Sequence, residues 1–188
     1  MKKNCIWYIL PTALLPYIAL GVLAIIFFSA KSPALDAVMQ SVFQGNMWYL
    51  VAVLLLFCLL AAALSAVYFV RSIRKEYDAL QLAKCAMVVK LLQVPAYIAI
   101  FVLGVLLVLA IFTIPFALGL LLIDCLTLLL TGLMTITAVI NAVRQGDYKI
   151  SETAWVVILQ VVFCADVVAA AVFYRKLRKQ YKERTAEV

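Results

Sequence analysis

Long apolar runs separated by short polar stretches divide the chain into a few segments. The longest runs from Ala96 to Val143 and holds one formal charge, Asp124, and one interior proline, Pro115. As a single helix it would be about 70 Å long, more than twice the hydrocarbon thickness of a bilayer. The pattern therefore predicts two helices, over 95–112 and 116–142, that turn near Pro115. A re-entrant segment is the alternative, because that turn carries no charge. Further apolar runs predict helices over 5–29, 47–70 and 153–174. Between the first two, Ser32 and Pro33 form a helix start with Asp36 in the first turn. Leu35, Val38, Met39, Val42 and Phe43 follow at helical spacing, and Gly45-Asn46 is a stop signal. The expected fold is an all-α integral membrane protein. It is a single membrane domain, 1–188, with about five hydrophobic helices and a short amphipathic helix after the first. Continuous runs of this length do not fit the alternating strands of a membrane β-barrel.

Composition strengthens this reading. The chain is 68% hydrophobic and 13% charged, against about half and a quarter for soluble domains. The first apolar run exceeds 20 residues, too long for the core of a signal peptide, so it predicts a retained helix with Trp7 and Tyr8 at one interface.

Charge placement sets an orientation. The net charge is +7, and the basic residues cluster at Lys2 and Lys3, between Arg71 and Lys90, and from Arg175 to Arg184. Such clusters beside apolar runs mark the cytoplasmic side and attract anionic lipids. The 71–93 stretch is expected to be a polar cytoplasmic helical segment turning near Tyr77–Leu82. Ala86–Leu92 would return along the interface, with Lys90 snorkelling. The 175–188 tail is expected as an exposed basic helix. With no soluble domain to carry a basic surface, no nucleic-acid partner is expected. The expected location is the cell membrane, a bacterial cytoplasmic membrane, with lipid and a membrane-protein partner or a second copy as contacts. One conflict remains in this scheme. Five full crossings put the basic tail outside; either one segment does not cross fully, with 95–112 the suspect, or the positive-inside rule fails here, and the side of the C-terminus stays open.

The chemistry is sparse. There is no histidine, and the five cysteines form no CxxC pair, which removes the usual nucleophile pairs and zinc sites. No phosphate-binding loop occurs. Neither catalytic residues, a metal nor a cofactor is expected, and the chain is read as not an enzyme. The candidate polar site is Asp124 with Thr127, Thr131 and Thr135, which share one helix face at +3, +7 and +11. Asp166, flanked by Ala165, Ala169 and Ala170, would join it at similar depth. One reading makes these residues interhelical glue, with the threonines bonded to their own carbonyls. It implies a non-enzymatic protein acting through helix packing. The other makes them a proton- or cation-coupled carrier or channel using Asp124 and Asp166.

Three stretches, KLLQVPAYIAIFVLG, IDCLTLLLTG and ILQVVFCADVV, together resemble a family of small, uncharacterised bacterial multi-pass membrane proteins. The likeness lies within 84–166. It implies no activity, and it transfers no functional residue.

Overall fold

The computed structural model describes residues 4–29, 31–75, 77–109, 111–162 and 164–186. Lys2, Lys3 and the side chain of Trp7, assigned above to the interface, lie outside the described residues. Seven α-helices follow one another: α1 (Asn4–Phe28), α2 (Pro33–Phe43), α3 (Met47–Arg74), α4 (Ala79–Val108), α5 (Ile114–Arg144), α6 (Ile150–Ile158) and α7 (Ala165–Ala186). No strand occurs among the described residues. Four stretches are long and apolar enough to cross a bilayer: Tyr8–Phe28, Met47–Arg74, Ala79–Val108 and Ile111–Arg144.

The caps follow the local sequence. Ser32 is the extended N-cap of α2, with Pro33 in its first turn, and Gln44 and Gly45 close it with positive φ. Asn46 caps α3 by accepting from the Trp48 N–H at 2.9 Å. The hairpin predicted near Pro115 is present. A short 3-10 turn, Ile111–Thr113, joins α4 to α5, and Pro115 sits in the first turn of α5, where a missing N–H costs nothing.

The 71–93 stretch differs from expectation. After α3 ends at Arg74, α4 runs unbroken from Ala79 through Pro95 to Val108. There is no separate interfacial return at 86–92. Pro95 leaves one carbonyl without an N–H; in the preceding turn the Tyr17 hydroxyl donates to Leu92 O, so α1 props the helix there.

The fifth hydrophobic helix expected over 153–174 is also corrected. It breaks into α6, a 3-10 turn at Leu159–Val161, and α7. Val162 is extended, and Cys164 adopts φ +64, a conformation that side-chain-bearing residues rarely hold. The Gln160 side chain donates to Val156 O at 3.0 Å, tying it to the last turn of α6. From the break the chain turns back.

One end of the bundle gathers these returns. Asn141 donates from Nδ2 to Ser72 O at 3.0 Å and Tyr77 O at 3.2 Å. Gln145 donates to Tyr77 O at 3.1 Å and accepts from the Ala79 N–H at 3.2 Å. The Tyr181 hydroxyl of α7 donates to Asp78 Oδ1 at 2.8 Å, and Arg184 donates to Asp147 Oδ1 at 2.6 Å. Burial first, then the Asp78 hydrogen bond, pushes the Tyr181 phenol above its ordinary range. The far end of α7 thus lies beside the α3–α4 turn and the end of α5. The α6–α7 pair enters the bundle from this basic end and returns to it. It was this segment, not 95–112, that fails to run the bundle's length.

Alanines make the tight packing possible. Ala61, Ala79, Ala138 and Ala142 are fully buried, and small residues let helix axes approach closely. Near the basic end Tyr68, Leu82, Met134, Val156, Phe173 and Leu177 form one core cluster. A second, with Ala19, Leu23, Ile100 and Leu120, fills the opposite half.

Candidate functional site

Polar side chains lie between these apolar clusters. On α4 the clusters end at Val89 and resume at Ile100; Lys90, Gln93 and Tyr97 fall in the gap at helical spacing. The 3.6-residue period puts all three on the face that α4 turns to the bundle. Gln93 Nε2 donates to Thr12 O on α1 at 2.8 Å. Thr12 and Ser65 of α3 share a hydroxyl hydrogen bond of 2.7 Å. The Tyr97 hydroxyl donates to Gln93 Oε1 at 3.1 Å and lies within hydrogen-bond reach of Thr131 on α5. A belt of polar contacts therefore ties α1, α3, α4 and α5 together.

Lys90 extends the belt to α7. Its Nζ lies 2.5 Å from Asp166 Oδ2, and both side chains are 0% exposed. Lys90 is thus not a snorkelling interfacial residue. It lies about 16 Å along α4 from Ala79, from the rise per residue. The break before α7 lets Asp166 reach it, by placing Asp166 in a helical first turn, where a carboxylate is favoured. Two signs in the sequence pointed to this pair: Lys90 lies in a run otherwise apolar from Ala86 to Leu92, and Asp166 is a lone opposite charge in another such run.

The residues expected from the sequence behave differently from one another. Thr127, Thr131 and Thr135 share the buried face of α5. Thr127 donates to Ile123 O at 2.8 Å, so its hydroxyl is used within its own helix; Thr131 donates to Thr127 O at 3.0 Å and also faces Tyr97. Thr135 Oγ1 is buried and has no hydrogen-bond partner among the described residues. Asp124 and Asp166 do not pair. Asp124 lies about 30 Å along α5 from Arg144 by the rise per residue, deeper than Asp166. The two carboxyls are still close enough to feel each other's charge, and Tyr97 feels both.

Asp124 is only 7% exposed, and its Oδ1 has no hydrogen-bond partner among the described residues. It lines the inner end of an open cleft of about 430 Å³ between α4 and α5. Asp166 Oδ1 and Gln160 Oε1 are likewise buried and unpartnered. The 3-10 turn that carries Gln160 packs on Gly132, where an added Cβ would meet Gln160 Cβ at 3.5 Å. No group of three or more metal-ligating side chains occurs among the described residues. The arrangement offers hydrogen-bonded ties between helices, one buried ion pair, and one carboxylate with unused hydrogen-bonding capacity.

Comparison with curated proteins and with solved structures gives no match. A family model does match, over residues 7–179, and the chain belongs to that family, a family of unknown function (DUF6652).

Proposed function

We propose that this protein is an integral membrane protein with four crossings and a re-entrant helical pair, α6–α7. It acts without catalysis, through helix contacts with a membrane partner. One observation carries the bilayer reading: away from the basic end, where Arg71, Arg74, Lys84 and Arg144 are exposed, the outward faces of the long helices are apolar. Leu55, Leu56 and Leu59 on α3, Phe101 and Leu106 on α4, and Leu122 on α5 are all more than half exposed. Soluble proteins rarely expose apolar patches beyond a few hundred Å², and lipid would cover this surface.

Four crossings and a returning pair bring the Arg71–Lys84 stretch and the Arg175–Arg184 tail to one side, in keeping with the positive-inside tendency. We assign that side to the cytoplasm of a bacterial cell, where anionic lipid headgroups would meet the basic clusters. The contact reading is supported by how the polar groups are used. Most of the belt holds the bundle's own helices together, leaving broad apolar faces for other helices. Purification in mild detergent tests it: a stoichiometric membrane partner, or a defined oligomer, is expected. A lone monodisperse chain overturns it.

A second reading, a small proton- or cation-coupled carrier, is favoured by one specific observation. Asp124 keeps an unused carboxylate oxygen at the end of a cleft, beside a broken helix that carries an ion pair. Discontinuous helices with charged groups at depth are common in transporters. Reconstituted protein should then move protons or a cation, and Asp124→Asn should abolish the flux. Flux unchanged by that substitution, or no flux at all, sinks this reading.

A further inference from the structure

The cleft between α4 and α5 has dimensions and a charge that select an occupant. Its walls come from Ile100, Gly104 and Val105 on one side and Ala117 and Leu121 on the other, with Asp124 at the inner end. The volume of about 430 Å³ lies within the range of small-molecule sites, about 300–1,000 Å³.

Charge narrows the choice further. Asp124, Asp166 and Lys90 form a buried set of two carboxylates and one ammonium. Lys90 is taken by Asp166, so with both acids ionised the set carries one uncompensated negative charge, on Asp124. An isolated ion is costly in a low-dielectric site, and one monovalent cation brings the set to neutrality. Apolar walls reject a hydrated metal ion, which would have to give up water for no oxygen ligands except one carboxylate. They accept a cation whose charge is sheathed in hydrocarbon.

We propose that the α4–α5 cleft binds a monovalent lipophilic organic cation, of the alkylammonium or arylphosphonium class, with its charge against Asp124. This rests on the bilayer placement proposed above and deepens the carrier reading. The walls supply desolvated contact, and Asp124 supplies the sign of charge. Gly104 lines the cleft, and a Cβ built there meets no atom within 4 Å, so a larger side chain at this position has free space to occupy.

Equilibrium binding of tetraphenylphosphonium to the full-length chain in detergent or nanodiscs tests this. Saturable binding of one cation per chain is expected. Asp124→Asn should weaken it at least tenfold, Asp124→Glu should largely keep it, and Gly104→Phe should block it by filling the cleft. Tetraphenylborate, of nearly the same shape and opposite charge, should not bind. The proposal is overturned if the wild-type chain binds no phosphonium, if the borate binds as well, or if Asp124→Asn binds unchanged. Should Asp124→Asn fail to fold, Gly104→Phe decides alone, and undiminished binding refutes the site. Failed binding leaves the bilayer reading standing. That reading falls instead if the chain is soluble and monodisperse without detergent.

Discussion

Removing one member of the Lys90–Asp166 pair should destabilise the fold far more than removing both. At 2.5 Å with both side chains fully buried, the gross attraction is about 7 kcal/mol at an effective dielectric near 20. Desolvation of the two ions costs several kcal/mol each, so the net contribution of the intact pair is close to zero. A single deletion keeps one desolvation cost and loses all the attraction. Lys90→Met or Asp166→Leu should therefore each cost about 3–5 kcal/mol. An orphaned ion can shed its charge by moving one proton, which caps the loss. Lys90→Met combined with Asp166→Leu restores an apolar contact and should return to within about 1–2 kcal/mol of the parent, or exceed it. Reversible unfolding in mixed micelles of rising denaturing-detergent content measures all four species, and the double-mutant cycle isolates the coupling. Single variants that each lose less than about 1 kcal/mol would refute the reasoning, as would a double variant as unstable as the sum of its parents.

Three further outcomes are expected. Asn141→Ala removes the hydrogen bonds to Ser72 O and Tyr77 O, and should cost about 1–3 kcal/mol in the same assay. Gly132→Ala should be tolerated within about 1 kcal/mol, because the new Cβ makes an ordinary contact with Gln160 at 3.5 Å; Gly132→Leu overpacks that contact and should cost about 1–3 kcal/mol, seen as faster protease cleavage at 162–165. Thr127→Val deletes a hydroxyl bonded only to its own helix, and should change stability by less than about 1 kcal/mol and leave any flux through reconstituted protein intact.

The long helices were legible from run length alone, because backbone satisfaction leaves few other choices for such sequences. The α4–α5 hairpin was legible too: an apolar run of twice the needed length must turn, and Pro115 marks where. The break in the last segment was not. Apart from Gln160 and Asp166, ILQVVFCADVV is apolar, with no Gly or Pro, and the break goes with Asp166 meeting Lys90 on a helix 76 residues earlier. Periodicity within one segment carries no information about that. The same gap hid the site. Asp124 and the threonines stand out as a stripe on one helix, and the threonines do share its buried face, yet Thr127 spends its hydroxyl locally. Gln93 and Tyr97 look unremarkable in sequence and gain their roles only through Thr12 and Thr131 on other helices.

If the chain is inserted as proposed, the separation of Lys90 from Asp166 has a consequence for its assembly. At about 5–20 residues per second, translation leaves α4 waiting roughly 4–15 s before Asp166 is made. During that interval the ammonium has no counter-ion at its final depth. In the proposed bilayer placement, its lowest-energy position then is nearer the headgroups, with α4 displaced toward its basic end by a turn or two. The arrival of the α6–α7 pair supplies the missing charge and draws the helix to its final register. The last segment made therefore completes the placement of a helix made well before it, and truncation ahead of Asp166 should leave α4 shallow rather than merely leave the bundle shorter.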